Sequence, residues 1–179
     1  PDHVIKSEKW DVPANGQDMW WNPEVPTGIT QERCIKAIET LPSKAAHGST
    51  HHANSQFEIK GEDGEWEVFG RLSEFAFGKL GEMVPEGACR KAPANSQVRW
   101  DIHYYPDGKA VADDQVSVGI WYQDEDFNEE VAYDQDLRSY ALQGGDFDIA
   151  PHGKLMTQGF HSFDHPVRLD SWQPHLHLR

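Results

Sequence analysis

The stretch Val98-Arg99-Trp100-Asp101-Ile102-His103-Tyr104 alternates apolar and polar side chains. Successive side chains of a β-strand point to opposite faces of its sheet, so this two-residue period predicts a strand with one buried face. Pro106-Asp107-Gly108 follows and predicts a turn, because proline presets one backbone torsion and glycine accepts a positive φ. The alternation resumes from Val116 to Tyr122. We therefore expect two neighbouring antiparallel strands with a turn between them.

Elsewhere the chain consists of short strand-like segments separated by Gly and Pro, with no convincing long helix. This pattern predicts an all-β fold, an antiparallel β-sandwich of the jelly-roll type. The segment Thr30–Thr40 is ambiguous, because Ile35 and Ile38 lie three residues apart, as on a helix, yet the segment also fits a strand. We expect a short helical turn followed by a strand within Gln31–Glu39.

The organisation along the chain predicts four segments. Residues 1–26 are rich in Trp and Pro and are expected to be irregular. Residues 27–123 should form one complete sandwich, and residues 124–145 an acidic linker or surface loop. Residues 146–179 should begin a second sandwich that is truncated, since the strand-like segment from Val167 stops abruptly at Arg179.

The bulk composition excludes several kinds of partner. The chain has 16 basic and 30 acidic residues and a net charge of −14, which repels nucleic acid and anionic membrane surfaces. No stretch approaches the roughly 20 apolar residues that a membrane-spanning helix needs. The aromatic content, 7 Trp, 8 Phe and 5 Tyr, is sufficient for a hydrophobic core.

Histidine is the residue type that indicates chemistry. The chain has 10 histidines. His51 and His52 are adjacent, and His103 lies on the polar side of the predicted strand. His175 and His177 are two residues apart, so a strand would present both on one face. Imidazole is a ligand for copper, zinc, iron and nickel, and three histidines around one ion are a common catalytic arrangement. The histidines therefore predict metal binding.

The order of these motifs resembles a known family. A His-His pair, a strand ending in His-Tyr and a final His-x-His is the ligand order of the ascorbate-dependent type II copper monooxygenases, which include peptidylglycine α-hydroxylating and dopamine β-monooxygenases. The resemblance covers roughly Thr27 to Arg179. It is carried by five segments: Cys34–Glu39, Thr50–Ala53, Pro85–Gly87, Asp101–Lys109 and Gln173–Arg179.

The resemblance implies a role for each histidine. His51, His52 and His103 match the ligands of the electron-transferring copper in the first sandwich. His175 and His177 match two ligands of the oxygen-binding copper in the second, whose third ligand is a methionine further downstream. The implied reaction hydroxylates a C–H bond with O2 and uses ascorbate as the reductant. Because the second site is incomplete in this sequence, we expect the chain alone to be inactive.

Cys34 and Cys89 belong to no Cys-x-x-Cys pattern. They could form one long-range disulfide or be two unrelated buried thiols. The family resemblance favours the disulfide and an extracytoplasmic location, periplasmic or secreted.

Two other functions fit the same sequence. One is a non-catalytic copper-binding or structural subunit of a larger extracytoplasmic complex. The other is a plain β-sandwich whose histidines are exposed to solvent. No residue marks a peptide, catecholamine or lipid pocket, so the sequence does not indicate the substrate.

Overall fold

The computed structural model describes residues 1–79, 81–135 and 149–172, and the chain divides into two compact units, Pro1–Leu137 and Arg138–Arg179. The first unit contains the described strands, which are β1 His3–Lys6, β2 Trp10–Val12, β3 Met19–Trp21, β4 Glu24–Pro26, β5 Arg33–Leu41, β6 Thr50–Lys60, β7 Trp66–Ala76, β8 Glu82–Met83, β9 Ala88–Ala92, β10 Gln97–Tyr104, β11 Val111–Asp114, β12 Ser117–Tyr122 and β13 Tyr133–Asp134. A single 3-10 turn, Glu129–Val131, is the helical element of the described part. The predicted all-β class is confirmed.

The strands form two main sheets and a small ribbon. The first, here the disulfide sheet, has the order β1-β12-β5-β9-β13 with β8 paired to β5. The second, here the histidine sheet, has the order β3-β10-β6-β7 with β4 also paired to β10. Strands β11 and β2 form the two-stranded ribbon. The pairs are antiparallel except for β13, which runs parallel to β9, and the architecture is consistent with a β-sandwich.

The core contains apolar side chains from both sheets. In the histidine sheet, Trp100, Ile102 and Tyr104 on β10 are each at most 1% exposed, in keeping with the alternation read from the sequence. In the disulfide sheet, Ile38 and Ile120 are equally buried and belong to the same cluster. Burial of one such side chain contributes roughly 1.5–3 kcal/mol, so these faces account for much of the stability.

The expected pairing of the two alternating segments is wrong. Strand β10 lies in the histidine sheet beside β3, β4 and β6, whereas β12 lies in the disulfide sheet between β1 and β5. The chain crosses between them through β11, which pairs with β2. Alternation indicates that one face of a strand is buried. Strands of two facing sheets have one buried face, just as neighbouring strands of a single sheet do, so alternation does not distinguish the two arrangements. The turn residue Gly108 does have the expected positive φ, 93°.

Within the segment Thr30–Thr40 the strand β5 begins at Arg33, and the expected helical turn is absent. Across β12, Ile35 lies opposite Tyr122 and Ile38 opposite Ile120, with a register shift between them. One residue of β5 is therefore extra, which brings Ile35 and Ile38 to the same buried face. A β-bulge thus produces the three-residue apolar spacing that resembles a helix.

Residues 1–26, expected to be irregular, form four short strands, three of them in the two main sheets and β2 in the ribbon. Strand β1 pairs with β12 at the edge of the disulfide sheet, and β3 and β4 pair with β10 in the histidine sheet. These strands have three or four residues each. Such short pieces carry too few side chains to show a periodicity, so backbone pairing to longer neighbours determines their structure.

Cys34 and Cys89 form a disulfide with Cα atoms 5.0 Å apart. The bond joins β5 to β9 within the disulfide sheet and confirms the favoured pairing. Part of the expected linker, residues 124–145, joins the disulfide sheet. In its described part, Tyr133 and Asp134 pair with Ala88 and Cys89 of β9.

The second unit contains no helix or strand between residues 149 and 172. A second sandwich is therefore not seen to begin in this described stretch, and the strand expected from Val167 is absent as far as Trp172. His175 and His177 lie outside the described residues. Over the ranges that the structure covers, no helix has the length and hydrophobicity required to cross a membrane.

Candidate metal centre

Three of the predicted ligands converge at one end of the histidine sheet. His51 and His52 lie at the start of β6, and His103 lies near the end of β10. The two strands are antiparallel neighbours, and their register places His103 directly opposite His52. Side chains directly opposite each other on one sheet face have Cβ atoms about 4.5–5.5 Å apart, so strand pairing alone brings these two residues together.

A β-bulge explains how two adjacent histidines join the same cluster. Adjacent residues of a regular strand point to opposite faces, so His51 would otherwise be directed away from His52. Here His103 pairs with His52 but Tyr104 pairs with Thr50, which leaves His51 as an extra residue. A bulge bends the strand and re-aims the side chain of the extra residue. His51 can therefore approach the face that holds His52 and His103.

The three imidazoles are close enough to share an ion. Nδ1 of His51 lies 3.0 Å from Nδ1 of His103. One ring nitrogen from each histidine can be chosen so that all three lie within 4.8 Å of one another. Two ligands at about 2.0 Å from one ion are roughly 3–4 Å apart, so shifts below about 1 Å would complete a three-histidine site. This group can hold a metal ion.

His103 is buried, although its position on the polar side of β10 suggested a solvent-facing side chain. It is 2% exposed and His52 is 6% exposed, which disagrees with a plain sandwich whose histidines face water. The indole of Trp20 covers His103, with ring centroids 4.3 Å apart and planes inclined by 7°. Trp20 occupies the position opposite His103 on β3.

Asp18 is a second neighbour of His103 that sequence reasoning missed. Its Oδ2 atom lies 3.0 Å from Nε2 of His103, on the opposite side of the ring from the nitrogen that faces His51. Asp18 and Trp20 both belong to the segment expected to be irregular, outside the part of the chain that carries the family resemblance. The abundance of Trp in this segment is the one sequence feature that sets it apart. It does not indicate that Asp18 or Trp20 would contact His103.

Other polar residues on the outer face of the histidine sheet bond to one another. Gln97 donates from Nε2 to Oε2 of Glu58 over 2.8 Å, and Asn22 donates from Nδ2 to Oδ1 of Asp101 over 3.1 Å. Arg99 lies within ion-pair distance of Glu58 at 3.9 Å. These contacts belong to the polar outer face and are separate from the three-histidine group.

His47 is near the cluster in sequence but is not part of it. Its ring packs edge-on against Phe75 and Phe77, with centroids 5.5 and 5.4 Å away. Within the described ranges the other group with metal-ligand spacing is Cys34, Cys89 and Glu129. The two sulfur atoms of that group are bonded to each other, which removes them as thiolate ligands.

The sequence was also compared with known proteins. No protein-family model matches the chain. No curated protein matches it significantly. The metal centre therefore rests on the convergence of His51, His52 and His103.

Proposed function

We propose that this chain binds copper through His51, His52 and His103, and that the full-length protein is an ascorbate-dependent copper monooxygenase that hydroxylates a C–H bond with O2. The observation that carries the proposal is the convergence of an adjacent His pair with a third histidine 52 residues from the first. The three ligands also occur in the order typical of that family, on neighbouring strands of a β-sandwich.

The donor set suits copper. Imidazole binds both Cu(II) and Cu(I), so copper in this centre would store and pass on one electron with little change of ligands. Cu(II) also binds a given nitrogen site more tightly than Zn(II) does, which favours copper where both ions are present. The protein contributes a buried His103 that stacks on Trp20 and contacts Asp18 through Nε2.

A second copper would be held in part by His175 and His177. In the family that the sequence resembles, the third ligand of this second centre is a methionine. The proposed role of the first centre is electron supply, and the proposed role of the second is the chemistry with O2.

The proposed location is extracytoplasmic, because disulfides such as Cys34–Cys89 persist mainly in oxidising compartments. The charge of −14 disfavours nucleic acid as a partner. A non-catalytic copper subunit of a larger complex would share the first centre but would not consume O2.

Two measurements test the proposal. Metal analysis of the chain purified in the presence of both Cu(II) and Zn(II) should give copper at the three-histidine centre, and a chain that retains zinc would contradict the assignment. The full-length protein with ascorbate should consume O2 in a copper-dependent way. Copper binding without ascorbate-dependent O2 consumption would instead support the non-catalytic subunit.

A further inference from the structure

Asp18 and His51 contact opposite nitrogens of the His103 ring. Nε2 of His103 lies 3.0 Å from Oδ2 of Asp18, and Nδ1 lies 3.0 Å from Nδ1 of His51. An ionised carboxylate only accepts hydrogen bonds, so the Nε2 atom must carry the proton that is donated to Asp18. In neutral His103 the lone pair is then on Nδ1, which faces the cluster.

Contacts with Trp20 and Asp18 hold the His103 ring with Nδ1 facing the cluster. The ring is 2% exposed and stacks on Trp20, so a rotation would lose both that contact and the bond to Asp18. The side chain of Asp18 is 38% exposed, so its carboxylate contacts both His103 and water. Trp20 and Asp18 thus restrict the plane of the ring and its tautomer, respectively.

A carboxylate bonded to the distal N–H of a ligand histidine increases the basicity of the nitrogen that faces the metal. A more basic ligand stabilises the more highly charged ion. We infer that Asp18 is a positioning residue that presents Nδ1 of His103 to the metal and strengthens the binding of Cu(II) more than that of Cu(I). This inference rests on the proposed copper centre and deepens it, since it assigns to the N-terminal segment a part in that centre.

Three variants separate two effects of Asp18, which are the hydrogen bond that orients His103 and the negative charge of the carboxylate. Asp18→Ala removes the hydrogen bond and the charge. Asp18→Asn keeps an acceptor oxygen without the charge, and Asp18→Glu keeps the acceptor and the charge on a longer side chain. Asp101→Asn is the matched control, because Asp101 lies on the same outer face, two residues from His103, and bonds to Asn22 instead.

Dissociation constants for Cu(II) and Cu(I) are measured by competition with chelators, together with the EPR spectrum of the Cu(II) form. Asp18→Ala should weaken Cu(II) binding about 10- to 100-fold, the range seen when such partners of metal ligands are removed. The loss for Cu(I) should be smaller, and the Cu(II) spectrum should change. Asp18→Asn should show an intermediate loss, Asp18→Glu should recover part of the affinity, and Asp101→Asn should match the wild type.

An Asp18→Ala chain that is folded by circular dichroism and binds Cu(II) as tightly as the wild type would overturn the inference. Equal losses for Cu(II) and Cu(I) would overturn the part that concerns charge. Zn(II) affinities are measured in parallel, because a wild type that selects zinc would contradict the copper assignment alone. In that case a loss of Zn(II) binding in Asp18→Ala would still support the positioning role.

Discussion

Nδ1 of His51 lies 3.0 Å from Nδ1 of His103, although 52 residues separate the two histidines along the chain. The short distance depends on the antiparallel pairing of β6 with β10 and on the bulge that makes His51 an extra residue in that pairing. The three-histidine group therefore depends on one strand pair and one β-bulge.

Replacing His51 or His52 with Ala should weaken copper binding by at least tenfold in each case, because each removes one of three nitrogen ligands. His47→Ala is the control, since His47 packs on Phe75 and Phe77 outside the cluster. Titration with Cu(II) against a competing chelator measures the three affinities. Equal affinities in His47→Ala and His51→Ala would exclude His51 as a ligand.

Binding of Cu(II) should quench the fluorescence of Trp20, because its indole stacks on His103 at 4.3 Å and the bound ion is paramagnetic. Trp20→Phe should therefore show a smaller fractional quench on addition of one equivalent of copper. Trp66→Phe, on the exposed start of β7, is the control and should keep the quench of the wild type. A quench unchanged in Trp20→Phe would contradict the placement of the ion beside His103.

Removing the disulfide should affect stability without affecting the metal centre. The bond closes a sequence separation of 55 residues, and constraint of the unfolded chain over such a loop contributes about 4 kcal/mol. The double variant Cys34→Ala/Cys89→Ala should lose about that much free energy of unfolding in urea. Its copper affinity should be unchanged, because the bond lies in the disulfide sheet and the ligands lie in the histidine sheet. A large loss of affinity in the folded double variant would contradict this separation.

Glu82 should make the stability of the fold pH-dependent. Burial opposes ionisation of Glu82, but hydrogen bonds and charge from Lys79 and Arg90 outweigh it and hold the pKa of the carboxyl below its ordinary value of 4.5. The ion-pair distances are 2.8 Å to Lys79 and 3.2 Å to Arg90. A lowered folded-state pKa means that the carboxylate stabilises the fold above pH 4.5 and that this contribution is lost as the pH falls through the folded-state value.

Glu82→Gln should accordingly lower the free energy of unfolding by about 1–3 kcal/mol at pH 7. The difference from the wild type should shrink as the pH falls below 4.5. Glu86→Gln, at an exposed position nearby, should have little effect at either pH. Urea unfolding at several pH values measures the three chains, and a difference that grows on acidification would contradict the sign of the effect.

The sequence predicted strands β10 and β12 and the candidate histidine ligands, because alternation and residue chemistry are local properties. It did not predict which sheet holds β12, because alternation reports a buried face and gives no information about the neighbouring strand. The bulges in β5 and β6 were also missed, since an extra residue is visible only against its partner strand. Asp18 was missed for the same reason, as its contact with His103 depends on a three-residue strand that pairs with β10.

The most direct test of the copper centre is Cu(II) EPR on the chain and on its His103→Ala variant, both with His175 and His177 replaced by Ala to exclude the other predicted ligands. The reference chain should bind one Cu(II) tightly through three imidazole nitrogens. The His103→Ala chain should lose tight binding but keep the same circular dichroism spectrum, since losing one buried side chain and its contacts costs about 1–3 kcal/mol against a typical stability of about 5–15 kcal/mol. A folded His103→Ala chain with the same affinity and the same spectrum as the reference would contradict the three-histidine copper centre.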